Sequence, residues 1–308
     1  MTAAAESPAP AKSRVGQIPT RPASEPLSTG FADLDHLTAG GLRPGTLTVI
    51  ASRPGIGRTT LLQDICRHNA IRHNRGTALW TLEEGPEDVV ARLLSAEARV
   101  LRHQVLAGTI DEAGWERVSQ RIKAVEDAPI VIDAPPSATA ADIAAKAAEL
   151  VAHHGVRLIA IDGIQDIRPE RRNDLREREV GDVVRDLKTL ARELQVPVAA
   201  TAHLNRSPEK RIDKRPCLDD LRESGAITFA ADLLILLHRE DAYDPATPRA
   251  GEADLIVAKH RFGPEAVITV GFQGHYSRFL DIGTEPVLSR PDLGAGFASL
   301  FSGSEGVA

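Results

Sequence analysis

The chain has 308 residues, enough for one large domain with a generous core, and a formal net charge of −6, so no globally basic surface advertises nucleic acid. Its two cysteines, Cys66 and Cys217, lie far apart, which excludes a disulfide framework or a cysteine zinc cluster and fits a reducing compartment. No apolar run approaches the roughly 18 residues of a membrane span, and the N-terminus lacks an apolar signal core, so a cytoplasmic location with no membrane partner is expected.

Residues 1–26 are rich in Ala, Pro and Ser without an apolar period and read as a disordered tail. Thr46–Ala51 is β-branched and apolar, the pattern of a buried strand. Ser52-Arg53-Pro54-Gly55-Ile56-Gly57-Arg58-Thr59-Thr60 follows it. Leu61, Leu62, Ile65 and Cys66 then recur at helical spacing and predict a helix over Thr59–Ile71. Strand, glycine-bearing turn and helix are the context of a P-loop, here with its defining lysine replaced by Arg58. Gly55 and Gly57 let backbone N–H groups wrap a phosphate, and the helix start adds its positive dipole end. The Thr59 hydroxyl stands where Mg²⁺ is held, so the implied chemistry is binding of a nucleoside triphosphate with its metal.

Further strands are expected at Thr77–Thr81, Ile130–Asp133, Arg157–Asp162, Pro197–Ala202, Asp232–His238, Ala253–Ala258 and Ala266–Gly271. Helices are expected at Glu87–Val100, Glu112–Val125, Ala140–His154 and Glu179–Leu194. This alternation predicts an α/β fold with a mostly parallel twisted sheet flanked by helices, ending in antiparallel hairpins where the last strands follow one another directly. Residues 285–308 read as a second, flexible tail, which leaves 27–284 as the folded domain.

Arg157-Leu-Ile-Ala-Ile-Asp162 ends in a carboxylate that a parallel sheet delivers to the edge carrying the phosphate loop, where it suits Mg²⁺. Glu83 and Glu84 follow another strand, and either could polarise an attacking water; spacing does not choose between them. Two loops are basic. Arg168–Arg178 carries five arginines against three acidic residues, and Asn205–Pro216 carries five basic residues against two acidic ones. Such loops can neutralise nucleic-acid phosphates without reading sequence.

The segment Asp213-Lys-Arg-Pro-Cys-Leu-Asp-Asp-Leu-Arg-Glu-Ser-Gly225 closely resembles the matching segment of the DnaB-type replicative DNA helicases. So do Ser28-Thr-Gly-Phe-Ala-Asp-Leu-Asp35, Leu158-Ile-Ala-Ile-Asp-Gly-Ile-Gln165, Leu204-Asn-Arg206 and Ala258-Lys-His-Arg-Phe-Gly-Pro264, in family order. The resemblance implies a RecA-like ATPase motor that uses ATP and Mg²⁺, acts on single-stranded DNA and assembles into a nucleotide-promoted homo-oligomer, a hexamer. It places Glu83 at the catalytic glutamate, Thr59 and Asp162 at the magnesium positions, and Gln165 at a glutamine just after the metal carboxylate. Lys259 and Arg261 fall where the family inserts a basic pair into the neighbouring subunit's ATP site. Arg222, Glu223 and Gly225 fall on a loop that meets the DNA backbone in the central channel.

The chain departs from the family at Arg58 for lysine, at His203 where glutamine usually senses the γ-phosphate, and at Phe262 between the trans-acting positions. The family's helical N-terminal collar is not expected here, since residues 1–26 contain five prolines and no amphipathic period. A full-length helicase or a separate collar protein is then an expected partner. The competing readings are a catalytically weakened nucleotide- or DNA-binding paralogue, marked by Arg58, and a regulatory ATPase of the RadA or KaiC kind. The intact Glu83, Asp162, Lys259 and Arg261 argue against the first, and Arg222-Glu-Ser-Gly225 with the Lys259/Arg261 pair argues against the second.

Overall fold

A computed structural model describes residues 25–221 and 224–282. The expected tails fall outside these residues, apart from Glu25 and Pro26. The chain opens with a short helix α1 (Ala32–Leu37) and then builds β1 (Leu47–Ser52), α2 (Arg58–Arg67) and β2 (Gly76–Thr81). Three helices follow: α3 (Pro86–Ala98), α4 (Arg102–Ala107) and α5 (Glu112–Glu126). Next come β3 (Ile130–Asp133), α6 (Ala140–His154), β4 (Val156–Asp162), α7 (Arg176–Leu194) and β5 (Val198–His203). The small helices α8 (Ser207–Lys210) and α9 (Ser224–Ala230) lead to β6 (Leu233–His238), β7 (Glu252–His260), β8 (Ala266–Gln273) and β9 (Arg278–Leu280).

All nine strands form one sheet in the order β3-β2-β4-β5-β1-β6-β7-β8-β9. The strands from β3 to β6 pair in parallel, and β6 through β9 close the far side as antiparallel neighbours. The expected α/β architecture with terminal hairpins is therefore the observed one. Each central strand is buried on both faces, as the continuous apolar runs require. On one face Ile159, Ile161, Val198, Ala200, Leu234 and Leu236 pack under Val180, Val183, Val184, Leu187 and Leu190 of α7. On the other, Leu158, Ala160, Ile235 and Leu237 pack under Leu61, Leu62 and Ile65 of α2 and Val89 and Leu93 of α3. Emptying one such position, Leu187→Ala for example, costs about 2–5 kcal/mol.

Two helices differ from expectation. The helix predicted over Thr59–Ile71 ends as α at Arg67 and continues as a π-helical turn, His68–Arg72. There the Asn69 side chain donates to Ile65 O at 2.9 Å and to Ser28 O at 2.8 Å, so a side chain enters the backbone ladder and widens it. Helix α7 begins at Arg176, three residues before the predicted start. Its first turn is held by polar contacts that apolar periodicity does not reveal: Glu179 accepts from Asn173 N at 2.9 Å and from Arg176 at 2.8 Å. The arginine-rich loop is accordingly shorter than its sequence suggests, because Arg176 and Arg178 are helical.

Candidate nucleotide site

Strand β1 lies between β5 and β6, with its last residue Ser52 beside His203 of β5. Thr81, the last residue of β2, is beside Asp162 of β4. The register thus delivers residues 53–57, Glu83, Asp162 and His203 to one edge, the carboxyl end of the parallel strands. The loop turns into α2 through Gly57, whose φ of 117° suits only glycine, and a Cβ there would lie 3.1 Å from Phe279 Cζ. Ser52 Oγ donates to Arg53 O at 2.8 Å, while Arg53 itself is tied to Glu209 at 2.7 Å and to Leu204 O at 2.8 Å. Pro54 and Gly55 are exposed, Ile56 is buried, and Thr60 continues α2. Behind the loop, Arg239 lies 3.7 Å over the Phe272 ring, and Phe272 packs on Phe279 at 4.8 Å between ring centres. The sequence reading missed this bracing, because it joins β6, β8 and β9 across long sequence separations.

Arg58 is 6% exposed, and its guanidinium reaches across the site instead of into the loop. Its Nη2 donates to Glu83 Oε1 at 3.1 Å and lies 3.0 Å from His203 Nε2. His203 Nε2 is also 3.0 Å from Glu83 Oε1, which closes a triangle. The hydrogen bond from His203, and then the charge of Arg58, push the Glu83 carboxyl down to about 2. Asp166 adds a second carboxylate, with Glu83, Asp166 and His203 presenting ligand atoms within 4.8 Å of one another. Burial, then the Glu83 charge, push Asp166 above its ordinary value. Geometry separates the two adjacent glutamates. Glu84 is turned away and gripped by both arms of Arg92 at 2.7 Å each, whereas Glu83 faces the triangle.

Asp162 is 1% exposed at the end of β4. Its Oδ1 accepts from Thr201 Oγ1 at 2.5 Å, and burial pushes its carboxyl above the ordinary value against the pull of the nearby Thr201 and Thr59 hydroxyls. Its Oδ2 is buried without a partner, an arrangement that costs free energy unless a cation fills it. An orphaned carboxylate oxygen beside a threonine hydroxyl is a hard oxygen donor set, and it fits Mg²⁺. Gln165 sits above it: its Oε1 accepts from His203 N at 3.1 Å, Arg176 donates to its backbone carbonyl at 2.5 Å, and its buried Nε2 has no partner.

The family model for the DnaB-like helicase C terminal domain matches residues 26–281. This chain belongs to that family. It is 47% identical over 256 residues to the replicative DNA helicase DnaB of Leifsonia xyli subsp. xyli, covering 83% of this chain and 56% of that one. It is 36% identical over 257 residues to the replicative DNA helicase DnaC of Bacillus subtilis, again covering 83% of this chain and 56% of the relative. The chain therefore spans about half the length of these curated relatives. Among solved structures, the ATPase domain of G40P matches with a TM-score of 0.79 at 30% identity, covering 84% of this chain and 93% of that one. A DnaB-like replicative helicase described with its interactions with primase matches with a TM-score of 0.80 at 30% identity, covering 83% and 62%.

In this DnaB-like domain Lys259 and Arg261 do not join the site just described. Antiparallel β7 carries them back to the opposite edge of the sheet, where Lys259 lies beside Leu234. Lys259 Nζ donates to Thr228 O at 2.5 Å and Phe229 O at 3.1 Å, and Arg261 Nε lies 2.9 Å from Asp232 Oδ1. Asp232 also accepts from Leu47 N at 2.9 Å and pairs closely with Lys188 of α7. The two edges are a strand apart, about 17–20 Å.

Arg222 and Glu223 lie outside the described residues, and Gly225 is exposed in α9. Two of the five basic residues of the second loop, Arg211 and Arg215, are ion-paired within the chain, which its composition did not reveal. Arg211 grips Asp220 at 2.7 and 2.6 Å, Lys214 donates to Glu209 O at 2.7 Å, and Arg215 pairs with Asp254 at 2.5 Å. The first loop keeps Arg168, Arg171 and Arg172 exposed, around a cleft of about 680 Å³ that reaches Thr139 and Arg176.

Proposed function

We propose that this chain is an ATP-hydrolysing motor that moves on single-stranded DNA within a ring of like subunits, a reading in keeping with relatives named replicative DNA helicases. The observation that carries the reading is the convergence of Glu83, Arg58 and His203 with the orphaned Asp162 oxygen at the mouth of the phosphate loop.

Water attacks the γ-phosphorus of ATP, its proton passes to the Glu83 carboxylate, and the bond to the β-phosphate oxygen breaks to release ADP and phosphate. Arg58 and His203 lie within hydrogen-bond reach of Glu83 and so flank the place where that water must stand. Loop residues 52–60 cradle the phosphates through backbone N–H groups. Thr59 and Asp162 would hold Mg²⁺, whose charge would stabilise the negative charge on the transferred phosphoryl group. Lys259 and Arg261 serve the site of a neighbouring copy, because they stand on the edge opposite their own loop. Gln165 braces the end of β5 by accepting from His203 N. DNA phosphates are met by the Arg168–Arg172 loop together with Arg222, Glu223 and Gly225. A cytoplasmic setting, and a longer helicase or a separate collar protein as partner, complete the reading.

The test is Glu83→Gln. It removes the proton acceptor and leaves the phosphate cradle, so DNA-stimulated ATP hydrolysis should fall at least a hundredfold while nucleotide affinity changes less than about threefold. Hydrolysis that survives in Glu83→Gln, or is lost instead in Glu84→Gln, overturns the assignment.

A further inference from the structure

Away from the nucleotide site, the π-turn brings two histidines together. His68 and His73 are five residues apart, a spacing that an α-helix places on different faces. The wider turn closes it, and the Nε2 atoms stand 3.0 Å apart with the ring centres at 4.5 Å. Together the two distances are shorter than a straight hydrogen bond allows and leave room for a shared ion. A straight N–H···N hydrogen bond of that length would hold the ring centres about 5.2 Å apart, since each centre lies about 1.1 Å behind its nitrogen. Both nitrogens bonded to one metal at about 2.05 Å give separations of about 2.9 and 4.5 Å at a right angle, but about 3.4 and 5.2 Å at the tetrahedral angle. The observed pair matches the right-angled case.

A third donor stands beside them. Ser28 Oγ lies 2.9 Å from His68 Nε2 and donates its own hydrogen to Asp35 Oδ2 at 2.5 Å, so its lone pairs face the imidazole. Asp35 is fixed in turn by Thr29 N at 2.7 Å and Thr29 Oγ1 at 2.6 Å. The nearby cations are offset, because Arg67 is paired with Asp64 and Glu97, and Arg72 also faces Glu97. His73 is exposed, which gives an ion a path from solvent.

We propose that His68 and His73, with Ser28 alongside, form a binding site for a tetragonal divalent transition ion of the nickel or copper class. The bound ion pins the entry segment at Ser28 to the end of α2, on elements separate from the loop, Asp162 and Glu83.

The experiment is calorimetric titration of Ni²⁺ into the untagged, chelator-treated full chain, with His73→Ala and His203→Ala alongside and circular dichroism to confirm folding. The expected result is one equivalent bound with a Kd of about 1–10 µM, weakened at least tenfold in His73→Ala and unchanged in His203→Ala. His73 is exposed, so its replacement leaves the core intact. Equal affinity in His73→Ala, loss in His203→Ala, or no saturable binding below about 100 µM would each overturn the site.

Discussion

Arg58→Lys should make the enzyme faster. Arg58 Nη2 donates to Glu83 Oε1 at 3.1 Å, and its positive charge helps hold that carboxyl near 2, far below the pH at which a general base works best. Lysine is about one bond shorter and ends in a compact ammonium, so it falls short of Glu83 and points its charge toward the phosphates. A charge-assisted hydrogen bond contributes roughly 1.5–3 kcal/mol when water is excluded. The Glu83 side chain is 36% exposed, so about 1 kcal/mol is the appropriate figure here. Releasing the base by that amount gives roughly a fivefold rise in kcat, and better placement of charge on the transferring phosphoryl group raises the ceiling to about a hundredfold, near 3 kcal/mol. The assay is steady-state ATP hydrolysis at saturating single-stranded DNA, with KM for ATP measured in parallel and circular dichroism to confirm the fold. A folded Arg58→Lys protein whose kcat is unchanged or lower refutes the reasoning, and would show that the site is built around the guanidinium.

Three more outcomes are expected. His68 is held near 4 in the folded chain against an ordinary 6.5, so the unfolded chain binds more protons between those values and stability falls as pH drops through that window. After discounting for partial exposure, about 1–2 kcal/mol is lost between pH 6.5 and 4 in metal-free protein, and His68→Asn should flatten that limb of a melting-temperature profile. Arg261→Ala mixed with Asp162→Ala should recover hydrolysis that neither shows alone, because a hybrid interface pairs an intact pocket with an intact basic pair; no recovery at any ratio, with assembly confirmed, rules out the shared site. Arg168→Ala with Arg172→Ala should reduce the slope of log affinity for single-stranded DNA against log salt by about 1.4, two phosphate contacts at about 0.7 each, measured by fluorescence anisotropy.

The sheet was largely legible because central parallel strands must be apolar on both faces, and runs such as Leu158–Ile161 between polar residues leave few alternatives. The placement of residues 53–57 and of Asp162 at one edge was legible for the same reason, since each is fixed to the end of such a strand. What escaped depends on partners distant in sequence. Glu83 and Glu84 are chemically identical until Arg92 of α3 claims one of them. The basic residues near Arg211 look available in composition, but Asp220 and Asp254 engage two of them. The π-turn hides inside a helical apolar pattern, because one added residue barely disturbs periodicity. Strand β9 has three residues, too few to show alternation.

Helix α7 ties the two edges of the domain into one mechanical object. Near its first turn Arg176 holds the carbonyl of Gln165, next to the exposed arginines. Twelve residues along, about 18 Å of rod, Lys188 holds Asp232, which also anchors the first N–H of β1 and the Arg261 guanidinium. As one packed helix, α7 spans the arginine loop and the root of the strand that leads into residues 53–57 in a single rigid piece. The far end of that rod also reaches Arg261 through Asp232. The rod thus gives the arginine loop and the loop of residues 53–57 a common rigid part, with the Lys188–Asp232 pair as the rivet that joins it to the root of β1.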